Sequence, residues 1–429
     1  MSKLTVLALA VLAVSALPRL TQANETPRAP EDWLHRVVEE VCGEGLDGLA
    51  AQAVLPGAWF LEEVTTPANG SAGRIDQRFA IPNGELRLSS FMGDGGLRRF
   101  NAEIHESAEA TFLPLFQVQT DGNCRPIAAR RIVREGPERI MLDQLDEDFE
   151  TLRWRETLQV PWPAAPFGKR HKGPVVALVD SGLAYDLPLF ASRLARGTDG
   201  TPSGFDFWDL DPLPYDGDTA RNLFQPIRHG TPVASVIARE APEALLAPFR
   251  YPRPDMQRMG DLIEAAAKAG ARLLSISLGS ARPEDWQNFE AAMRAHPEML
   301  AIVSAGNDGR DVDAEPLWPG ALDLDNMIVV TSSDGFGRLA DGSNWGANSV
   351  DLMVPAENIP VTDFRGSESR ASGTSYAVPR VTALAARLLL AEPDLSTEAL
   401  KQRIFARAVA PNERQPVVAK GFIIDPDRD

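Results

Sequence analysis

The sequence predicts a smaller, mainly β domain over residues 24–160, followed by an α/β domain over residues 173–429. In the second region, strand and helix patterns alternate, an order typical of an open parallel sheet with helices on both faces. In the first region, short alternating runs such as Glu85–Leu88 are broken by turn sequences, which indicates a mainly β domain. Between them, residues 161–172 are rich in proline and carry a basic cluster, which predicts an exposed linker.

The elements of the α/β region follow from its hydrophobic pattern. Val175–Val179 is a continuous apolar run, as expected of a strand that is buried on both faces. Further strands are predicted at Arg272–Ser277, Leu300–Ser304 and Met327–Thr331. Helices are predicted after His229 and at Met259–Ala269, Glu284–Ala295 and Thr374–Leu390. Functional residues of such sheets gather at the carboxyl ends of strands and at the starts of the helices that follow.

The first region begins with a predicted helix near Trp33–Val41 and contains no motif that can be attached to a reaction. The composition of the whole chain narrows its partners. The chain has 60 acidic and 43 basic residues and a net charge of -17. Nucleic acid and anionic membrane surfaces are therefore not expected as partners, because a protein binds either of them through a basic surface patch.

The first 23 residues have the pattern of a signal peptide, with a short basic start and an apolar run over Leu4–Leu17. The run is too short to span a bilayer, which takes about 20 residues. Cleavage is expected after Thr21-Gln22-Ala23 rather than after Val14-Ser15-Ala16, because Pro18 would sit two places after the earlier cut. The mature protein is therefore expected to be exported, either periplasmic or secreted, with no membrane anchor; the alternative is a buried N-terminal helix.

Export gives the two cysteines a meaning. In an oxidising compartment, Cys42 and Cys124 can form one disulfide and have no competing partner. The alternative is two unpaired thiols, with Cys42 buried behind neighbouring valines.

Four segments of the α/β region carry reactive side chains at strand ends or helix starts. They contain Asp180 in Val-Asp-Ser-Gly, His229 in His-Gly-Thr-Pro, Asn307 in Ala-Gly-Asn-Asp and Ser375 in Gly-Thr-Ser-Tyr. Each has an ordinary structural use as a cap or turn residue. Together they supply what acyl transfer requires: a serine, a base, a carboxylate that orients the base and a donor for the oxyanion.

These segments resemble those of the subtilisin-like serine proteases over about residues 173–410, in the family's order Asp, His, Ser. The resemblance implies that Ser375 is the nucleophile, His229 the general base and then acid, and Asp180 the carboxylate that orients the imidazole. It implies that Asn307 and the Ser375 backbone N–H donate to the oxyanion. It further implies that Ser277, Leu278 and Gly279 belong to an edge strand that pairs with the substrate. Ser304, Ala305 and Gly306 would form the opposite wall of the specificity pocket.

The sequence departs from the family's pattern near the cleft. Tyr376, which directly follows Ser375, is bulky and is expected to reshape the leaving-group side. Leu317 stands where a small residue often leaves the specificity pocket deep, so small or medium apolar side chains are expected before the cut. The acidic residues of the same loop favour the opposite expectation, a basic side chain; they are Asp308, Asp311, Asp313 and Glu315.

No cofactor is expected to be required. The acidic stretch Asp206–Asp211, with Asp216 and Asp218, offers oxygen ligands of the type that calcium uses, although acidic loops are usually only solvated.

The sequence thus predicts an exported serine endopeptidase that cleaves protein or peptide substrates through an acyl-enzyme. The rival interpretation is a catalytically silent, protease-like binding or chaperone module. Residues 24–160 are either a removable inhibitory prodomain, cut near Lys169-Arg170, or a permanent domain that binds a partner or restricts access.

Overall fold

The structure, a computed structural model, describes residues 26–67, 73–93, 96–108, 111–136, 139–158, 163–169, 171–217 and 223–428. The predicted signal peptide lies outside these ranges, as do Arg170 and Asp218. The chain forms two compact units. The N-terminal unit comprises the chain up to Val160 together with Leu223–Gln225, and the C-terminal unit comprises Pro161–Asn222 and Pro226–Asp429.

The N-terminal unit combines two helices with an antiparallel sheet among its described residues. The helices are α1 (Pro30–Glu40) and α2 (Gly48–Val54). The strands are β1 (Trp59–Pro67), β2 (Gly73–Ile81), β3 (Gly84–Gly93), β4 (Gly96–Ala108), β5 (Thr111–Asp121), β6 (Pro126–Arg134), β7 (Ile140–Leu145) and β8 (Leu152–Thr157). Each strand pairs with the next in sequence, so the sheet is a meander in chain order.

One face of this meander forms a core with α1. Alternate strand residues such as Leu86, Leu88 and Phe100 are buried there against Leu34 and Val37 of the helix. This alternation of buried and accessible residues is what the turn-separated runs predict. Phe224 packs in a smaller cluster of the same unit with Ile132, Leu142 and Leu158.

A disulfide joins Cys42, just after α1, to Cys124 in the turn between β5 and β6. The two cysteines are 82 residues apart in the chain, so the bridge closes a long loop. Cys42 is also part of the buried core of this unit.

Removing the bridge by Cys42→Ser/Cys124→Ser is expected to destabilise the N-terminal unit by about 4 to 5 kcal/mol, because the unfolded chain regains the entropy of a long open loop. Hydrogen exchange of peptides from this unit in the full chain measures the change. Peptides from the C-terminal unit serve as the internal control. Unchanged protection in the N-terminal unit would contradict the prediction.

The C-terminal unit is built on a parallel sheet. Its strands are β9 (Val175–Asp180), β10 (Phe205–Asp206), β11 (Leu245–Arg250), β12 (Ala271–Ile276), β13 (Leu300–Ser304), β14 (Met327–Ser333), β15 (Leu352–Pro355) and β18 (Gly421–Phe422), and a separate hairpin contains β16 (Ile359–Thr362) and β17 (Glu368–Ala371). Its α-helices are α3 (Pro188–Ala191), α4 (Gly230–Glu240), α5 (Met259–Lys268), α6 (Gln287–Ala295), α7 (Thr374–Ala391) and α8 (Thr397–Phe405), with short 3-10 turns at Met256–Arg258 and Pro283–Trp286. Within the described residues, the sheet order is β10-β11-β9-β12-β13-β14-β15-β18, and neighbouring strands are parallel.

Both faces of this sheet are covered by helices. On one face, Val176 and Leu178 of β9 belong to the same core as residues of α4 and α7. On the other face, Ala177 and Val179 belong to the core that contains α5 and α6. Successive residues of β9 therefore point into two different cores, which is why the strand is a continuous apolar run rather than an alternating one.

The predicted fold class is confirmed. The predicted strand at Leu300–Ser304 has the observed bounds, and the predicted helix at Thr374–Leu390 ends one residue later, at Ala391. The predicted helix at Glu284–Ala295 begins as a 3-10 turn and becomes an α-helix at Gln287. In the described part of the chain, no helix is both long and apolar enough to cross a bilayer.

Candidate active site

Asp180 and His229 meet at the carboxyl end of the parallel sheet. Asp180 is the last residue of β9 and is 3% exposed, whereas His229 precedes α4 and is accessible on one side. The imidazole Nδ1 lies 2.8 and 2.9 Å from the two carboxylate oxygens of Asp180. Because this carboxylate engages Nδ1, the neutral ring carries its proton there and leaves Nε2 as the proton acceptor.

The Asp180 carboxylate also sets the basicity of His229. Burial of the ring opposes its charged form, but the charge of Asp180 and its hydrogen bond favour that form more strongly, and Asp216 adds to the effect. The net result is that the pKa of His229 is raised above its ordinary value. The imidazolium formed during proton transfer is therefore stabilised by the site.

A buried network holds the backbone of His229 against the end of β9. The Ser181 hydroxyl accepts hydrogen bonds from the N–H groups of His229 and Gly230, both at 2.8 Å. It donates to Asp216 Oδ1 at 2.7 Å, and Asp216 Oδ2 accepts from the Thr231 N–H at 2.8 Å. Sequence reasoning missed these positioning contacts: Ser181 was visible as part of the motif, but Asp216 was assigned only to a candidate calcium cluster.

Two glycines allow this close approach. A Cβ at Gly230 would lie 2.0 Å from the Gly182 carbonyl oxygen, and Gly182 itself has φ +124°. A side chain at position 230 would therefore push the Asp and His motifs apart, and a residue other than glycine would be strained at position 182.

Asn307 and Ser375 are brought together by Thr374. Ser375 lies in the first turn of α7, where backbone N–H groups lack partners within the helix. The Asn307 Oδ1 atom accepts hydrogen bonds from the Thr374 N–H at 2.9 Å and from its hydroxyl at 3.0 Å. These two donors orient the amide, so its NH₂ group is the part left to donate to a substrate oxygen.

The start of α7 lies beside the histidine. The ring of Tyr376 has its centroid 6.2 Å from that of His229, and burial raises the pKa of Tyr376 to about 12. The Ser277 hydroxyl, just after β12, donates to the Ser375 carbonyl oxygen at 2.9 Å. The structure thus gathers Asp180, His229, Ser375 and Ser277 at the carboxyl end of the sheet.

The two predicted pocket walls lie close to Leu317. A Cβ at Gly279 would be 3.4 Å from Leu317 Cδ2, and a Cβ at Gly306 would be 2.7 Å from the same atom. The Leu317 side chain therefore lies beside Gly279 of one predicted wall and beside Gly306 of the other. A small cavity also adjoins Leu317; it is lined by Ala305, Val312, Gly320, Ala321, Val329 and Ser349, of which only Ala305 belongs to a predicted pocket wall.

The acidic segments near the site have partners within the protein. Arg250, which is 1% exposed, donates to Asp206 Oδ2 at 2.6 Å, while Asp206 Oδ1 accepts from two backbone N–H groups. Arg250 Nε also donates to the Ser181 carbonyl oxygen at 2.9 Å, just after Asp180. Among the residues described, no group of three or more His, Cys, Asp or Glu is arranged to hold a metal ion. Calcium binding stays a prediction, and Asp218 lies outside the described ranges.

Comparison with known proteins identifies a family match over the C-terminal part of the chain. Residues 171–421 match the sequence model of the subtilase family, peptidase S8. The chain is 27% identical over 234 residues to the thermophilic serine proteinase of Bacillus sp. (strain AK1), covering 51% of this chain and 53% of the relative. It is 28% identical over 251 residues to the halolysin-like extracellular serine protease Nep of Natrialba magadii, covering 55% and 43% respectively.

A solved structure of the subtilase cytotoxin SubAB has the same fold, with a TM-score of 0.50 and 22% identity over 59% of this chain and 88% of that one. The chain spans about half the length of the curated relatives described above. Because the match to the family model covers more than half of the sequence, the chain belongs to the subtilase family.

Proposed function

We propose that the protein is a serine endopeptidase with Asp180, His229 and Ser375 as its catalytic triad and Asn307 as an oxyanion donor. The observation that carries this proposal is the contact of His229 Nδ1 with both oxygens of the buried Asp180, at the carboxyl end of the sheet. Ser375 lies in the first turn of the helix whose start is next to His229. A helix cap alone requires no carboxylate on the imidazole. The membership of the subtilase family supports the same chemistry.

In the proposed mechanism, each of these side chains has a step. His229 Nε2 takes the hydroxyl proton of Ser375 as the serine oxygen attacks the peptide carbonyl carbon. The resulting oxyanion is stabilised by the Asn307 amide and by the Ser375 backbone N–H. His229 then gives the proton to the leaving amine. In the second half of the reaction, His229 takes a proton from a water molecule as the water attacks the acyl-enzyme, and it returns the proton to Ser375 as the acid product leaves. Asp180 stays hydrogen-bonded to Nδ1 of His229 and stabilises the imidazolium.

A fluorophosphonate probe tests the proposal directly. The probe is expected to modify the native full chain, and tandem mass spectrometry of a digest is expected to locate the adduct on Ser375. Chain that is denatured before the probe is added is the control for non-specific labelling. Absence of an adduct in native, folded protein would instead favour the silent binding or chaperone module.

We further propose that the substrate side chain before the cut is small and apolar. Leu317 lies beside both predicted pocket walls, next to Gly279 and Gly306, so its side chain takes up space that a large substrate side chain would need. The acidic residues of the same loop are engaged elsewhere. Asp313 accepts hydrogen bonds from the backbone N–H groups of Asn348 and Ser349. Arg310 forms ion pairs with Asp308 and Glu315.

Leu317→Ala is expected to open the pocket and to raise kcat/KM for phenylalanine relative to alanine before the cut by about 10- to 200-fold, the range typical of small changes in pocket volume. Matched peptide p-nitroanilides with Ala, Phe or Arg at that position measure the change. Leu322→Ala is the matched control, because Leu322 packs against the same core as Leu317 but is not among the nearest neighbours of Gly279 or Gly306. A wild-type preference for Arg would contradict the assignment.

The proposal includes export and an undecided role for the N-terminal unit. The signal-peptide pattern supports export, and one relative carries the word extracellular in its name. Mass spectrometry of active, exported protein distinguishes the two roles of the N-terminal unit. A chain that begins near Asn24 indicates a permanent domain, whereas one that begins near residues 169–172 indicates a prodomain that is removed.

A further inference from the structure

Asn344 is a fully buried residue whose side chain is used entirely by the loop that contains Asn307. Its Nδ2 donates to the Ala305 carbonyl oxygen at 2.8 Å and to Asp308 Oδ2 at 3.4 Å. Its Oδ1 accepts from the N–H groups of Asp308 at 2.9 Å and Arg310 at 3.1 Å. The amide therefore contacts the backbone on both sides of Asn307.

The backbone of Asn344 extends the same contacts. Its N–H donates to the Gly306 carbonyl oxygen at 3.0 Å, and its carbonyl oxygen accepts from the buried hydroxyl of Thr331 at 2.5 Å. Thr331 belongs to β14, so Asn344 connects the loop to the rigid sheet. A Cβ at Gly306 would lie 2.5 Å from Asn344 Nδ2, which shows how closely the amide packs against the loop.

Asn307 is thus held from two sides. Thr374 orients its side-chain amide, whereas Asn344 holds the backbone of the residues around it. An oxyanion donor is effective only when it lies about 2.7 to 3.1 Å from the position that the charged oxygen will occupy. The rigidity of the residues behind the donor decides whether that distance is kept.

We propose that Asn344 is a positioning residue that places the Asn307 amide for oxyanion stabilisation. This inference rests on the proposed function of the site. Asn344 itself touches neither substrate nor the reacting atoms; it acts through the loop 305–310. Because Asn344 also contacts Ala305 and Gly306 of the predicted pocket wall, its loss is expected to lower turnover more than it weakens substrate binding.

A double-mutant cycle tests the inference with Asn344→Ala, Asn307→Ala and the double variant in the full chain. Asn307→Ala is expected to lower kcat by about 100- to 1,000-fold, as for other lost oxyanion donors. Asn344→Ala is expected to lower kcat by about 10- to 100-fold, with KM changed less than about 3-fold, since a small misplacement has an effect of this size. The double variant is expected to match Asn307→Ala, because a donor that is absent cannot be misplaced.

Asn326→Ala is the matched control for folding. Asn326 is also a buried asparagine of the C-terminal unit and also donates to backbone carbonyls, those of Met293 and His296. Its loss is expected to lower the melting temperature without a change in kcat. Asn344→Ser keeps a polar group at the site and is expected to give an intermediate kcat, which supplies the test if the alanine variant does not fold.

The outcomes separate the inference from the function on which it rests. Multiplicative losses in the double variant, or an unchanged kcat in Asn344→Ala and Asn344→Ser, would overturn the role of Asn344 in an enzyme that is otherwise active. An unchanged kcat in Asn307→Ala would overturn both the oxyanion assignment and the role of Asn344. A folded wild type that neither cleaves peptides nor reacts with the probe would overturn the proposed function itself.

Discussion

Ser375→Ala is expected to lower kcat by roughly 10⁴- to 10⁶-fold, leaving only the catalysis supplied by substrate binding and the oxyanion donors. The alanine removes the nucleophilic oxygen, and His229 then has no proton to accept. KM is expected to change little, because Leu317 and the residues predicted to bind the substrate are untouched. Hydrolysis of a peptide p-nitroanilide with alanine before the cut measures the effect.

The matched control is a serine whose only described role is structural. Ser396 caps α8, and its hydroxyl accepts from the Ala399 N–H at 3.2 Å. Ser396→Ala is expected to reduce stability by about 0.5 to 2 kcal/mol and to leave kcat unchanged. Activity within tenfold of wild type in Ser375→Ala would show that Ser375 is itself only a helix-start residue.

Asp180→Asn is expected to lower kcat by about 10⁴-fold while the fold is retained. An asparagine can direct its NH₂ group at Nδ1 and so place the ring proton on Nε2, where it blocks proton transfer from Ser375. The Asp180 contact is also the main cause that raises the pKa of His229 against the opposing effect of burial. Two readouts, the rate and its pH dependence, therefore report the same contact.

The sign of the pH effect follows from the role of the base. His229 must be neutral to accept a proton, so a raised pKa moves the acid limb of kcat/KM to a pH above the ordinary imidazole value of about 6.5. In Asp180→Asn the pKa falls, and the acid limb of the residual activity is expected to move to lower pH. An unmoved limb would mean that Asp180 does not set the basicity of His229.

Asp351→Asn is the matched control for this substitution. Asp351 is also partly buried in the C-terminal unit, and its Oδ2 accepts from the Val329 N–H at 2.9 Å. Burial raises the pKa of Asp351, so its neutral replacement is expected to be tolerated. A loss of kcat in Asp351→Asn equal to that in Asp180→Asn would indicate a general effect of removing buried carboxylates.

The parallel sheet could be predicted because burial on both faces leaves a strong local pattern. Val175–Val179 and Leu300–Val303 are uninterrupted apolar runs, and each is followed by a polar motif. In the N-terminal unit, the strand character was readable, whereas the order of the meander was not. Strand pairing there depends on which turns close, and the short helix Gly48–Val54 has too few residues to show a period.

The supporting residues of the candidate site could not be predicted in the same way. Asp216 lies 13 residues before His229, and Asn344 lies 37 residues after Asn307, in loops whose composition suggests only turns or solvated acid. Their roles depend on burial and on the direction of hydrogen bonds. Neither property can be read from local spacing, because the partners come together only when the sheet brings distant loops to the carboxyl end of its strands.

By itself, the sequence determined which reactive residue types this protein carries and in what order, and it determined that each follows a strand or begins a helix. Because parallel strands align their carboxyl ends, residues that follow such strands are expected to lie near one another. Only the tertiary structure decided which nitrogen of His229 is left to accept a proton, which way the Asn307 amide faces and how far Leu317 closes the pocket. These features depend on distances of a few ångströms between residues that are far apart in the chain.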